Sequence, residues 1–156
     1  MSTKYNRGSE WRKWDLHIHS TASDGKLNCE EIIELAITQD IKCIALTDHH
    51  TFANVDILKS IATENGNQVS VITGVEFRTE YGNKSVHMIG LFPDKYDGIE
   101  LTAQYLHDNI LSVLGISRSQ IIEKARKADT NKNNDEDYYF HKGWNLVQVD
   151  FREAAN

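Results

Sequence analysis

Cysteine and proline are scarce in this 156-residue chain, which has two cysteines and one proline. Cys29 and Cys43 stand at a spacing that no metal or redox motif uses, so we expect both to be small buried side chains in a reducing cytoplasm. No apolar run approaches the roughly 20 residues that a membrane span needs. The charged N-terminal segment has no apolar stretch behind it of the kind that a signal peptide carries. These absences exclude a membrane protein and a secreted disulfide scaffold, and a hydrophobic content of 40% excludes a disordered chain.

Acidic residues outnumber basic ones. Lys and Arg total 17 against 23 Asp and Glu, which gives a formal net charge of −6. This balance argues against a protein that coats duplex DNA in general, because the affinity of such proteins rests on many contacts with phosphates. It does not exclude an enzyme that binds nucleic acid through bound metal ions. The length is that of one domain with a core of ordinary size.

The apolar pattern alternates between strand and helix periods along the first two-thirds of the chain. Strand–helix–strand–helix–strand order implies parallel strands with right-handed crossovers, so the fold class is α/β. Capping-box spacings at Asn28–Glu31 and Ser117–Gln120 mark two helix starts. The stretch 129–137 lacks any apolar residue and predicts a mobile loop. The predicted strands are 14–19, 41–46, 69–75, 85–92 and a short one within 144–151; the predicted helices follow Asn28 or cover 54–64, 99–114 and 118–128.

Residues that can bind metal collect where the predicted strands end. In parallel α/β proteins the active site forms at the carboxyl ends of the strands, so side chains remote in sequence converge there. Imidazole and carboxylate together suit divalent ions such as zinc, manganese and iron. The residues concerned are His17 and His19 on the first strand, Asp24 in the loop after it, Asp48 and His49 after the second, Glu76 after the third and His87 on the fourth.

A simpler interpretation applies to any one of these residues. A lone histidine in a strand is usually a surface or hydrogen-bonded residue, and a lone aspartate after a strand usually caps a helix. We adopt that interpretation for His107 and His141, which we place on a helix and beside a loop. It does not account for His-x-His, Asp-His and Glu at successive strand ends, and we therefore predict that these form one metal site.

Four segments in this order and spacing resemble the polymerase-and-histidinol-phosphatase (PHP) domain. They are DLHIHSTASDG from Asp15, ALTDHHT from Ala45, GVEF from Gly74 and HMIGLF from His87. The opening RGSEWRKWDLHIHS, from Arg7, resembles the start of bacterial proteins in which a PHP domain precedes a P-loop ATPase region of the AAA or SMC type.

The resemblance implies a distorted (β/α)₇ barrel with up to three metal ions at the carboxyl ends of its strands. It implies that His17 and His19 are paired ligands, and that Asp24 stands where family members place an Asp or His ligand. His49 is then the ligand of the second segment with Asp48 beside it, and Glu76 bridges two ions. By the same resemblance, His87 would bind the third ion.

The sequence departs from the family pattern in two places. His50 stands where the second segment commonly has aspartate, which leaves the role of position 50 open. The family's last metal motifs, a histidine after a glycine-rich strand and a terminal Asp-x-His, are absent. We therefore expect residues 1–156 to be the N-terminal two-thirds of a PHP domain, an incomplete barrel whose activity in isolation is weak or absent.

The implied chemistry is phosphoester hydrolysis with two or three divalent ions (Mn, Zn or Fe) that neutralise phosphate oxygens and acidify water. Glu76 would act between the ions, and Asp48 would have a supporting or proton-handling role. Nucleic acid or nucleotides are the expected substrates, and a coupled ATPase would suggest defence against foreign DNA. The nearest candidates for contacting phosphate are Arg78 and Lys26.

Two alternatives belong to other functional classes. The chain could be a non-catalytic structural or regulatory PHP module, and the number of tightly held metal ions discriminates between that and an enzyme. It could also be an amidohydrolase-type enzyme acting on C–N bonds. Those enzymes share the initial His-x-His but commonly require a carbamylated lysine between the metals, where this chain has Glu76.

Overall fold

A computed structural model describes residues 12–129 and 134–155. Its centre is a sheet in the order β1-β2-β3-β4, in which β1, β2 and β3 are parallel and β4 returns antiparallel to β3. Within the described residues the sheet is open, so the expected α/β class and incomplete barrel are confirmed. The four strands are β1 (Lys13–Ile18), β2 (Ile41–Leu46), β3 (Ser70–Tyr81) and β4 (Lys84–Phe92).

Helices α1 (Cys29–Thr38) and α2 (Val55–Glu64) form the two crossovers between the parallel strands. The predicted capping box of α1 is confirmed, since Asn28 accepts from the Glu31 amide at 2.9 Å and Glu31 accepts from the Asn28 amide at 2.9 Å. The two helices pack against each other. Their apolar side chains join those of β2 and β3 in one buried core.

Both cysteines are buried and free, as the sequence predicts. Cys29 begins α1, and Cys43 lies in β2, a strand whose last four residues are buried. No helix among the described residues is long and apolar enough to cross a membrane.

The third strand is longer than the sequence predicts. β3 continues past Val75 to Tyr81, so Glu76 lies inside the strand and not at its end. Its partners explain the difference: β2 pairs only with the first part of β3, while β4 pairs with Thr73 through Tyr81. Gly82, with a φ of +62°, lies in the hairpin turn between β3 and β4.

The sequence predicts one long helix over 99–114, and the predicted start of this helix is wrong. Ile99–Glu100 (β6) instead pairs with Lys95–Tyr96 (β5) in a small hairpin. The helix α3 begins at Ala103, because the Thr102 side chain accepts from the Tyr105 amide at 3.1 Å and caps it. α3 (Ala103–Leu106) then widens into a π-helical turn over His107–Leu111. α4 (Arg118–Ala128) follows with the predicted capping box.

The last part of the chain also differs from prediction. The predicted loop 129–137 ends early, since α5 spans Glu136–Gly143 with Asp135 as its cap; residues 130–133 lie outside the described part. The short strand predicted within 144–151 is mostly helical. A 3₁₀ turn, Trp144–Leu146, precedes the two-residue strand β7 (Val149–Asp150), which pairs with β3, and α6 (Phe151–Ala154). Asp150 accepts from the Arg152 amide at 2.7 Å and so starts a helix where the sequence suggests a strand.

Candidate metal centre

Glu76 is the centre of a cluster of imidazoles. Its Oε2 lies 3.0 Å from His17 Nε2, 2.8 Å from His19 Nε2 and 3.7 Å from His49 Nδ1. Its Oε1 lies 2.5 Å from His87 Nδ1. The Glu76 side chain is 3% exposed, so one buried carboxylate faces four histidines, which come from the ends of β1 and β2 and from β4.

A second carboxylate, Asp24, extends this cluster on the side of the loop after β1. Its Oδ1 lies 2.6 Å from His19 Nδ1, and its Oδ2 lies 3.8 Å from His49 Nε2. His19 and His49 therefore each stand between two carboxylates, Asp24 on one side and Glu76 on the other. Unlike Glu76, Asp24 has a side chain that is 46% exposed, which opens this side of the cluster to solvent.

The ligand atoms divide into three overlapping donor groups, within each of which all atoms lie within 4.8 Å of one another. Glu76, His19 and His49 each belong to two groups. Of these three, only the Glu76 carboxylate has two oxygens with which it can serve two ions at once, because a neutral imidazole offers a single lone pair. All six residues predicted as metal ligands are thus brought together. The groups are His17–His19–Glu76, His19–Asp24–His49 and His49–Glu76–His87.

The loop after β1 is folded tightly against the end of the strand. A Cβ atom at Gly25 would lie 2.1 Å from the carbonyl oxygen of His19, so only glycine permits this approach. The close return places Asp24 directly beside the His19 ring. The His-x-His strand end and the Asp-Gly turn are therefore one local unit.

Asp48 has a different position from the other predicted site residues. Its carboxylate is buried, and it accepts from the Ser20 amide at 2.8 Å, the Ser20 hydroxyl at 2.6 Å and the Ser23 hydroxyl at 2.5 Å. Ser20 also accepts from Asn54 Nδ2 at 2.9 Å. Asp48 belongs to none of the donor groups found in the described residues. The geometry favours its supporting role, in which it holds the loop that presents Asp24, over proton handling.

Replacing Asp48 by alanine leaves three donors without their charged acceptor. We expect Asp48→Ala to lower the free energy of unfolding by about 3 kcal/mol, because bonds to a buried carboxylate are strong and their loss leaves polar groups unpaired. Urea denaturation of the metal-free chain measures the change. Asp56→Ala, on the exposed first turn of α2, is the control and should cost less than about 1 kcal/mol. Equal stability losses in the two variants would contradict this role for Asp48.

Trp144 is part of the site, although no motif in the sequence points to it. Its ring stacks on His49 with centroids 4.1 Å apart and an interplanar angle of 14°. His49 Nδ1 has no hydrogen-bond partner among the described residues. Metal-binding histidines are commonly oriented by a hydrogen bond from the second ring nitrogen; here the indole ring fixes the plane of the imidazole instead.

The site favours a neutral His49 beside two ionised carboxylates. Burial lowers the pKa of His49 to about 4, against the opposing effect of Glu76. Burial opposes ionisation of Glu76 and Asp24, but hydrogen bonds and nearby charge from the histidines outweigh it, so the pKa of each carboxyl lies below its ordinary value. Neutral imidazole and ionised carboxylate are the forms that bind metal.

His50 does not take part in the donor groups. It is fully buried, has a left-handed backbone with φ of +50°, and neither ring nitrogen has a hydrogen-bond partner within residues 12–129 and 134–155. Its ring lies 6.5 Å from that of Phe77. Burial lowers the pKa of His50 to about 3, so it is a neutral core side chain behind the site.

His107 and His141 belong to none of the donor groups of the described residues. His107 is in the π-helical turn and pairs with Asp108. His141 lies within α5 and not beside a loop, because the helix that Asp135 caps extends to Gly143. We expect His107→Ala and His141→Ala to leave metal content and activity near wild type. Elemental analysis of each purified variant checks this. A metal loss comparable to that of His49→Ala would show that the site has been mapped wrongly.

Comparisons with known proteins place this geometry in context. A sequence model described as the PHP domain matches residues 15–148. A 5′-3′ exoribonuclease of Haemophilus influenzae is 43% identical over 84 residues, which cover 54% of this chain and 30% of that protein. A 3′,5′-nucleoside bisphosphate phosphatase of Chromobacterium violaceum is 35% identical over 77 residues, which cover 49% of this chain and 26% of that protein.

A solved structure is similar over a larger part of the chain. It is described as an amidohydrolase from Chromobacterium violaceum with bound sulfate and no metal. It is 30% identical, has a TM-score of 0.55, and the match covers 74% of this chain and 36% of that one. The matched region thus spans about a third or less of each of these three proteins.

Proposed function

The chain belongs to the PHP domain family, and from that premise we propose that it is a metal-dependent phosphoesterase acting on nucleic acid or nucleotides. The observation that carries the proposal is the set of three donor groups that share Glu76, His19 and His49. Support for the substrate class comes from the similar exoribonuclease and bisphosphate phosphatase.

The donor set fits divalent cations. Each group combines imidazole nitrogens with a carboxylate oxygen, a mixture suited to zinc, manganese and iron. The low pKa of His49 and the lowered pKa values of Glu76 and Asp24 keep these ligands ready to bind at neutral pH. We propose that two or three ions bind here, held by His17, His19, Asp24, His49, Glu76 and His87.

Bound divalent ions supply charge neutralisation for the phosphate and lower the pKa of water to near neutrality. The chain's own residues fix where this happens. Glu76 spreads its negative charge between two donor groups through its two oxygens, and Asp24 orients the His19 ring through Nδ1. Asp48 holds the loop that carries Asp24 through Ser20 and Ser23.

The direct test is to load the purified chain with Mn²⁺, Zn²⁺ or Fe²⁺, count the ions per chain, and assay phosphate ester cleavage. Suitable substrates are 5′-phosphorylated single-stranded RNA, single-stranded DNA and a nucleoside 3′,5′-bisphosphate. Two or more tightly held ions with metal-dependent cleavage support the enzyme. Tightly held ions with no cleavage of any substrate favour the non-catalytic metal-binding module.

Two finer questions belong to this proposal. Hydrolysis of C–N bonds is the less favoured chemistry, even beside the similar amidohydrolase structure, because Glu76 stands where such enzymes commonly carry a carbamylated lysine. A P-loop ATPase that follows or partners this domain would direct it toward nucleic acid. That part of the proposal is supported by the resemblance of the opening segment from Arg7 to Ser20.

A further inference from the structure

Arg78 lies on the same face of the hairpin as the metal centre. It follows Glu76 by two residues in β3, and alternate residues of a strand point to one face. In the β3–β4 register Arg78 stands directly opposite His87. A positively charged side chain therefore emerges next to two members of the third donor group without being a ligand itself.

Neighbours from the end of the chain hold the guanidinium in place. Arg78 Nη1 donates a hydrogen bond to Asn145 Oδ1, and the guanidinium carbon lies 5.8 Å from the centroid of the Trp144 ring. The same Trp144 ring stacks on His49. The indole ring thus contacts both Arg78 and His49. Asn145 is an exposed residue, so the Arg78–Asn145 pair lies at the protein surface.

The charge of Arg78 has no counter-charge within the described residues. No carboxylate there lies within ion-pair distance of its guanidinium, and its Nε is buried without a hydrogen-bond partner. By contrast, Arg118 pairs with Asp137 and Arg126 with Glu136. A half-buried cation without an anion is unfavourable. Divalent cations bound at Glu76 would add repulsion between their charge and that of the Arg78 guanidinium.

We infer that Arg78 binds a non-bridging oxygen of the substrate's phosphate at the edge of the metal centre. This inference rests on the proposed function and adds to it the residue that positions the phosphate. An arriving phosphate supplies the missing negative charge and accepts from the free guanidinium N–H groups. Arginine suits this role better than lysine, because its planar fork can donate two parallel hydrogen bonds to phosphate oxygens. Asn145 and Trp144 orient that fork in advance.

Calorimetric titration of the zinc-loaded chain with inorganic phosphate, after removal of free zinc, tests the inference without relying on turnover. Arg78→Met removes the charge and retains much of the stem, and we expect it to raise the Kd for phosphate roughly 10- to 100-fold with zinc content unchanged. Arg78→Lys keeps the charge but not the fork, so a smaller rise is expected. Arg118→Met, at a remote arginine on α4, is the matched control and should leave the Kd at the wild-type value.

The possible results separate the two proposals. If wild type binds phosphate and Arg78→Met binds it equally well, the inference about Arg78 is wrong while the proposed function stands. If Arg78→Met loses zinc, the residue has a structural role and the inference is again wrong. If Arg78→Met fails to fold, the comparison of Arg78→Lys with Arg118→Met decides, and equal Kd values overturn the inference. If wild type binds neither zinc nor phosphate, the proposed function fails as well.

Discussion

Glu76→Gln is expected to lower the rate of phosphoester hydrolysis by at least about 10²- to 10³-fold, since removing an essential group from such a site costs several kcal/mol. The substitution keeps the size of the side chain and removes its charge. Four imidazoles face this carboxylate, and its two oxygens serve two donor groups. The neutral amide cannot hold two cations close together, so the acidification of water is lost with the second ion.

The measurement is the initial rate of cleavage at saturating metal for wild type and variant. Glu80→Gln is the matched control, because Glu80 lies four residues along the same strand but is exposed and outside the donor groups. It should retain wild-type activity. The ratio of the variant's rate to the wild-type rate is the quantity to compare. Undiminished activity in Glu76→Gln would refute the bridging role.

The double variant His17→Ala/His19→Ala is expected to lose most of its bound metal. Both imidazoles belong to the first donor group, and His19 also belongs to the second. Their removal leaves Glu76 as the last member of the first group and takes one of three ligands from the second. Elemental analysis after dialysis measures the loss.

The matched control for this double variant is His107→Ala/His141→Ala, which removes two imidazoles outside the site. That control corrects for any general effect of histidine loss on folding or on non-specific metal binding. Circular dichroism of the metal-free proteins establishes that both variants fold. Equal metal content in wild type and His17→Ala/His19→Ala would refute the assignment of these ligands.

The elements that the sequence predicts well are those specified by neighbouring residues. The start of α1 follows from Asn28 and Glu31, which contact each other within one helical turn. The limits of β2 follow from a mostly apolar run between polar residues. Most of the six predicted ligands converge because parallel strands bring their carboxyl ends to one edge, which the order of elements already implies. His87 joins them because β4 pairs antiparallel with β3.

The errors concern features that distant parts of the chain decide. The extension of β3 to Tyr81 depends on pairing with β4 and β7. The sequence pattern therefore ends the strand at Val75 and places Glu76 after it, although Glu76 does lie among the predicted ligands. The role of Trp144 depends on contact with His49, 95 residues earlier (144 − 49). No local spacing predicts such a contact, and the sequence pattern alone places Trp144 in a strand.

The central claim is that Glu76 lies between two bound cations, and electron paramagnetic resonance of the chain loaded with two equivalents of Mn²⁺ tests it most directly. Two ions that share one carboxylate are magnetically coupled, so we predict a broad exchange-coupled spectrum for wild type. Glu76→Gln should instead give the six-line spectrum of isolated Mn²⁺. A six-line spectrum from fully loaded wild type would contradict the claim.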